Sequence, residues 1–178
     1  MEFSPELLKR LSQRDEEAFG KVYKYMVDRL YRYTAGRYRI DRATIYDIIS
    51  DFFVKLRNRI DRIDPKQAFE AWIWTIYRNF LIDYFKAYKQ TASLSTVEER
   101  VDDTILQPGQ HVQISYQVKQ IYAVIDQLDD LSKEVVLLRY VEQLGFEEIA
   151  VITWLQPDAV RQRAGRGIKK IQSLLGLE

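Results

Sequence analysis

The stretch from Phe69 to Gln90, FEAWIWTIYRNFLIDYFKAYKQ, constrains the fold more than any other part of this chain. It contains neither Gly nor Pro, so nothing in it interrupts a helix. Its apolar side chains recur at steps of three and four residues, which predicts one long helix with a buried stripe. The residues of that stripe are Phe69, Trp72, Ile73, Ile76, Phe80 and Tyr84.

The remaining surface of this predicted helix mixes aromatic side chains with cations. The mixed set consists of Trp74, Tyr77, Arg78, Tyr84, Lys86, Tyr88 and Lys89. Aromatic rings stack on unpaired bases and cations neutralise the phosphates that carry them, so this mixture is typical of single-strand binding. A core helix with a basic tail has the same composition, and the helix alone does not separate the two interpretations.

Composition excludes several classes of protein. The chain has 178 residues with no Cys and a single His, which leaves no disulfide framework and no clustered-imidazole metal site. No apolar run approaches the roughly 20 residues of a membrane span, and the first residues lack a signal-peptide core. No Gly-rich phosphate loop and no Ser/His/Asp set is visible. We therefore expect a cytoplasmic protein that is not an enzyme, binds no cofactor or metal and does not insert into membranes.

Charge is distributed unevenly along the chain. Residues 1–90 carry 18 Lys and Arg against 13 Asp and Glu, and residues 151–178 carry 5 against 2. Residues 91–130 instead carry 2 basic against 7 acidic side chains. Two basic ends predict two separate contacts with a polyanion. The acidic middle is consistent with a segment that avoids nucleic acid, with one that binds a basic surface, or with a solvated linker.

The first half reads as helical throughout. Ser4, Asp15 and Asp41 each precede a segment with helical periodicity and are predicted N-caps. No alternating strand pattern interrupts these segments. The following segment, Thr91 to Ser115, is polar and contains Pro108-Gly109, so we predict a linker there.

The second half has a helix-turn-helix layout. Ser132 is a predicted N-cap, and a short helix is predicted from Phe146 to Thr153. A turn of three residues follows, and Pro157 opens a final helix. That helix carries Arg161, Arg163, Arg166, Lys169 and Lys170. A basic second helix after a tight turn is the arrangement that enters the major groove of duplex DNA.

Three motifs make the chain resemble bacterial RNA polymerase sigma factors of the small, extracytoplasmic-function (ECF) type. DIISDFFVKL, from Asp47 to Leu56, matches the family's acidic clamp-binding helix. The family's promoter-melting pattern W-L-x-x-I-x-x-N-x-x-x-D is matched by Trp72, Ile73, Ile76, Asn79 and Asp83. LSKEVVLLRYVEQLGFEEIA, from Leu131 to Ala150, follows the pattern R-E-V-L-x-L-R-Y-x-E-G-L-S-Y-E-E-I-A, and Val160, Arg163 and Arg166 fall at the recognition-helix positions.

The resemblance implies an all-α chain of two small helical domains joined by a flexible linker. Residues 1–91 would form the region 2 domain, which binds the polymerase clamp and recognises and melts the −10 element. Residues 92–115 would be the linker, and residues 116–178 the region 4 helix-turn-helix domain for the −35 element and the flap. The implied partners are core RNA polymerase, through its clamp coiled coil and flap, and promoter DNA. An anti-sigma factor or a DNA-targeting partner is a further expectation.

The resemblance also implies site residues. Those for the polymerase are Asp47, Asp51, Phe52 and Lys55. Those for the −10 single strand are Asp61, Arg62, Asp64, Lys66, Trp72, Trp74, Tyr77, Arg78, Asn79, Lys86 and Lys89. Those for the −35 duplex are Asp158, Ala159, Arg161, Gln162, Arg163, Arg166, Lys169 and Lys170.

Two positions depart from the family pattern, and two other functions stay open. Trp154 stands where the turn usually has Gly, which predicts a reshaped turn, and Asp158-Ala159 replaces a Gly-Thr pair. We therefore expect promoter selection to depend more on the −10 element or on a recruiting partner than on the −35 element. The alternatives are a helix-turn-helix repressor or activator, and a sigma-like polymerase accessory protein that a partner delivers to DNA.

Overall fold

The computed structural model describes residues 3–60, 68–92 and 116–176, and within residues 89–92 and 116–119 it describes the backbone alone. The described part is entirely helical, which confirms the predicted all-α class. Its helices are α1 (Pro5–Ser12), α2 (Glu16–Arg37), α3 (Arg42–Arg57), α4 (Phe69–Ala92), α5 (Tyr116–Ile125), α6 (Asp130–Val136), α7 (Phe146–Thr153) and α8 (Pro157–Leu175). None of them is long and apolar enough to cross a bilayer.

The predicted N-caps of the first half are confirmed. The Ser4 hydroxyl accepts a hydrogen bond from the backbone N–H of Leu7 at 3.2 Å. The Asp15 carboxylate accepts from Ala18 at 2.8 Å, and that of Asp41 accepts from Thr44 at 3.0 Å. Each satisfies one of the backbone donors that a helix leaves unpaired at its start.

The predicted cap at Ser132 is wrong. Asp129 caps α6 instead, because its backbone is extended, at φ −63° and ψ 155°, while Ser132 already lies inside the helix. The Asp129 carboxylate accepts from the Ser132 backbone N–H at 3.0 Å. A π-helical segment, Leu137–Val141, then continues α6, a feature that the sequence analysis did not anticipate.

Helices α1 to α4 and α5 to α8 form two groups that pack against each other. In the first group α2 packs on α1 and α3, and in the second α8 packs on α5, α6 and α7. Between the groups, α4 packs on α7, and α2 packs on α6 and the π-helical segment. Buried apolar side chains of both groups form one continuous cluster. The predicted linker lies outside the described residues.

Candidate functional site

Helix α3 presents an acidic face to solvent. Asp47, Asp51 and Lys55 are exposed, and their spacing of four residues places them on one side of the helix. Phe52 was predicted to join this surface, and that prediction is wrong for this conformation: its side chain is fully buried. Its ring packs against the ring of Tyr77 at 4.8 Å between centroids, inside the core between α3 and α4.

A surface pocket of about 460 Å³ adjoins the acidic face. It is lined by Lys55, Phe80, Asp83, Tyr84, Ala87 and Tyr88. The Lys55 ammonium lies 4.5 Å from the centroid of the Phe80 ring. Burial raises the pKa of the Tyr84 hydroxyl, and the neighbouring Asp51 carboxylate raises it further. Tyr84 and Tyr88 carry no predicted polymerase role, although their spacing of four residues places them on one side of α4.

Two of the three aromatic side chains in the predicted single-strand set are fully buried. Trp74 and Tyr77 are both 0% exposed, so the expectation that they present their rings to DNA is wrong for this conformation. The Tyr77 hydroxyl shares a 2.5 Å hydrogen bond with Thr34 Oγ1 of α2, and burial raises its pKa. The Trp74 ring lies 5.2 Å from the ring of Tyr33, also of α2. Because α2 packs over this side of α4, these rings belong to the core.

The other predicted single-strand contacts on α4 fall into three groups. Asn79 and Lys86 are exposed. Trp72 is half-buried and stacks on Phe69 with 5.7 Å between ring centroids. Arg78 is directed at the second group of helices, where its Nε donates to Glu134 Oε1 at 2.7 Å. Asp61, Arg62, Asp64 and Lys66, and the side chain of Lys89, lie outside the described residues.

Helix α8 holds the predicted duplex-binding residues, and several are already paired. Arg161 donates to Asp158 at 2.6 Å and to Glu147 at 2.7 Å. Arg163 lies 3.3 Å from Asp129, and Lys170 donates to the backbone carbonyl of Gln127 at 2.9 Å. Gln162, Arg166 and Lys169 are exposed, and Ala159 is half-buried. Gln162, Arg166 and Lys169 can therefore contact a polyanion without first leaving one of these partners.

Trp154 adopts the left-handed conformation that the turn between α7 and α8 requires. Its φ is 61° and its ψ 25°, values that glycine reaches without steric cost. The expected reshaping of this turn is therefore not found. The indole is 74% exposed, so it gains little from burial in exchange for that conformation.

Comparisons with known proteins agree with this arrangement. The family Sigma-70 region 2 matches residues 23–91, and the family Sigma-70, region 4 matches residues 119–171. The chain is 27% identical to the ECF RNA polymerase sigma factor BldN of Streptomyces coelicolor. The alignment is 180 positions long and covers 96% of this chain and 65% of BldN. The chain is 24% identical to the ECF sigma factor SigW of Bacillus subtilis over 180 residues, covering 94% of each chain.

Solved structures share the fold. CnrH, in complex with the cytosolic domain of CnrY, has a TM-score of 0.74 at 21% identity, with 99% of both chains covered. The sigma factor RpoE of Bartonella quintana, in complex with the anti-sigma factor NepR, has a TM-score of 0.73 at 18% identity, covering 90% of this chain and 98% of RpoE. Two family matches in the order of the two helical groups, together with relatives that match along almost the whole of this chain, show that it belongs to the sigma-70 family of RNA polymerase sigma factors, in its ECF type.

Proposed function

We propose that this chain binds core RNA polymerase and directs promoter recognition, DNA opening and transcription initiation. One observation carries the proposal: a region 2 match and a region 4 match occur in one chain, each on its own group of helices. A helix-turn-helix repressor would account for α7 and α8 but not for the region 2 helices. The activity is that of a non-enzymatic initiation factor, and we propose that it acts in the cytoplasm.

The polymerase clamp is the proposed partner of the acidic face on α3. Asp47 and Asp51 are exposed and leave the apolar core untouched, so a basic partner can approach both carboxylates at once. The pocket lined by Tyr84 and Tyr88 lies beside them and offers aromatic surface to the same partner. We add these two tyrosines to the proposed clamp contact and remove Phe52 from it.

The proposed DNA contacts lie at two places. On α4, Asn79 and Lys86 are exposed. Arg78 becomes a third DNA contact there when Glu134 no longer pairs with it. On α8, Gln162, Arg166 and Lys169 are exposed toward a duplex. Because both CnrH and RpoE were solved with a bound partner protein, a partner of the anti-sigma kind is also proposed for this chain.

Charge reversal on α3 tests the polymerase contact. We expect Asp47→Lys with Asp51→Lys to weaken binding to purified core polymerase by at least about tenfold, or about 1.4 kcal/mol, because each new ammonium repels the basic partner. Size-exclusion co-elution and a fluorescence titration measure this. Circular dichroism should stay unchanged, since neither side chain is part of the core.

A matched control comes from α2. Asp28 is an equally exposed carboxylate on another helix, and Asp28→Lys should leave polymerase affinity within about twofold of the wild-type value. Wild-type affinity in the double variant, or an equal loss in the Asp28 variant, would remove α3 from the polymerase contact.

A further inference from the structure

Beside its apolar part, the contact between the two groups of helices contains a set of ion pairs. Five arginines of α2, α4 and the residues between α2 and α3 point at the second group: Arg29, Arg32, Arg37, Arg39 and Arg78. Three carboxylates of the second group receive them: Asp126, Glu134 and Glu142. We call the first set the arginine face and the second set the carboxylate face.

Glu134 is the centre of one half of this contact. Its side chain is completely buried and accepts from the Arg78 guanidinium at 2.7 Å and from the Tyr33 hydroxyl at 2.9 Å. The Arg37 guanidinium lies 3.7 Å away. All three of these partners belong to the first group of helices. Glu134 therefore loses these partners, and regains water, when the two groups separate.

Glu142 is the centre of the other half. It is also completely buried, and it lies 2.8 Å from Arg29 Nε and 3.2 Å from Arg32 Nη2. The Arg29 guanidinium also donates to the Glu142 backbone carbonyl at 2.7 Å and pairs with Glu70 of α4. Burial raises the pKa of the Glu142 carboxyl, and the two guanidiniums counteract that rise. The two carboxylates together contact four of the five arginines of the arginine face.

Close backbone approach lets the two faces meet. A Cβ atom built on Gly36 of α2 would lie 2.8 Å from Leu137 Cδ2 and 2.8 Å from Tyr122 Cε1, both in the second group. These separations are shorter than van der Waals contact allows. A Cβ atom at position 36 fits only if these two side chains shift, and the larger leucine side chain needs the further room that separation of α2 from the second group supplies.

Guanidinium groups bind carboxylate and phosphate with the same bidentate geometry. A face of arginines on α2 and α4 is thus a phosphate-binding surface that carboxylates now fill. We propose that the carboxylate face acts as an internal substitute for DNA phosphates, which holds the chain closed and competes with single-stranded DNA for the arginine face. The inference rests on the proposed function in one respect, that α4 binds single-stranded DNA.

Ion pairs between the two groups can be separated without leaving a charge buried alone. Removing one partner of a buried ion pair is costly, whereas full separation returns every charge to water and leaves none of them buried alone. The contact also contains apolar side chains, but an interface with this many charges resembles a transient interface, for which relative motion of the two domains is expected. Phosphates that reach the arginines during opening replace the carboxylates one for one. The closed form therefore lowers the apparent DNA affinity in proportion to its population.

Fluorescence energy transfer between two dyes measures the closure directly. The chain has no Cys, so Lys24→Cys on α2 and Gln172→Cys on α8, both exposed, give a single labelled pair. In this background we expect Glu134→Gln with Glu142→Gln to increase the distance between the dyes. The same variant should bind a thymidine oligonucleotide of about 16 nucleotides about tenfold more tightly than the parent chain.

A pair of glycine variants provides the matched control and a second route to the answer. Gly36→Leu should open the chain and strengthen oligonucleotide binding, because the side chain collides with Leu137 and Tyr122. Gly20→Leu adds the same side chain to the same helix at a position with nothing within 4 Å, and it should change neither quantity. If circular dichroism shows that the double glutamine variant has lost helix, the glycine pair decides the question.

The dye distance tests the closure, and oligonucleotide binding tests the competition. Unchanged dye distance in folded Glu134→Gln/Glu142→Gln or Gly36→Leu chains would overturn the closure, and a larger distance without tighter oligonucleotide binding would overturn the competition. Neither measurement uses polymerase. A chain that opens and gains oligonucleotide affinity but does not bind core polymerase would uphold this inference and contradict the proposed function instead.

Discussion

Asp41 illustrates what a single side chain contributes at the start of a helix. Its carboxylate accepts from the Thr44 hydroxyl at 2.5 Å and from the Thr44 backbone N–H at 3.0 Å. These two hydrogen bonds favour the ionised form and lower the pKa of Asp41 below its usual value of 3.8, the hydroxyl contributing most. The cap therefore stabilises α3, the helix that carries the proposed polymerase contact, more strongly while the carboxylate is ionised.

Asp41→Ala should lower the free energy of unfolding by about 1 kcal/mol near neutral pH, because one backbone donor at the helix start loses its acceptor. A lowered pKa gives stability that is present above the unfolded pKa and lost as the pH falls through the folded value. The difference between wild type and variant should therefore shrink as the pH falls from about 5, just above the unfolded pKa, to about 2. Urea denaturation at several pH values measures it.

Asp28→Ala is the control for this prediction, because Asp28 is exposed and caps no helix. Its effect on unfolding should be small at every pH. An Asp41→Ala difference that stays constant from neutral to acidic pH would show that the carboxylate charge has no part in the cap.

At the scale of the element, local signals predicted most of the helix starts, with Ser132 as the exception, whereas contacts between distant helices were not predicted. Asp15, Asp41 and Pro157 act within four residues of their own position, and each stands where the sequence placed it. The predicted stripe on α4 was correct for Phe69 and Ile73 but missed Trp74 and Tyr77. Periodicity identifies one apolar face of a helix, and it carries no information about a second face that another helix covers.

The same limit applies to the candidate site. The acidic face of α3 was predictable because spacing of four residues fixes which side chains share a helix surface. The pairing of Arg78 with Glu134 joins residues 56 positions apart, and no local pattern contains it. Sequence therefore predicted which residues carry charge, but not which of those charges are already neutralised in the folded chain.

The arginines of α8 differ in the ion pairs that they form, and this difference gives a prediction at the scale of the element. Both Arg161 and Arg166 are exposed, but Arg161 must leave Glu147 and Asp158 to reach a base. We expect Arg166→Ala to cost about 1 to 3 kcal/mol and to relax preference at one base pair. Arg161→Ala should cost less, and Asp158→Asn should strengthen duplex binding by freeing Arg161 and removing a negative charge.

Fluorescence anisotropy with duplexes that vary one base pair at a time distinguishes these effects. Lys169→Ala is the reference variant, since an exposed lysine that contacts phosphate should weaken all duplexes alike and lower the salt slope by about one unit. Weaker binding by Asp158→Asn would mean that this carboxylate itself receives a hydrogen bond from a base.

At the scale of the whole molecule, the chain combines two polyanion-binding groups that neutralise part of each other. The first group is the more basic in sequence, and the carboxylate face of the second group covers its arginines. The exposed acidic face of α3 stays outside that contact. In the proposed account, polymerase binds the closed chain through α3. The binding free energy gained when both groups dock on polymerase then favours their separation.

Initiation from a randomised promoter library tests the central claim most directly. Purified core polymerase transcribes templates with random bases in the −10 and −35 segments, with and without the chain, and the transcripts are sequenced. We predict transcripts only when the chain is present, starting at a fixed distance from an enriched −10 sequence, with weaker enrichment in the −35 segment. The same transcripts from core polymerase alone, or no enriched sequence at a fixed distance from their starts, would contradict the account of this chain as a promoter-selecting sigma factor.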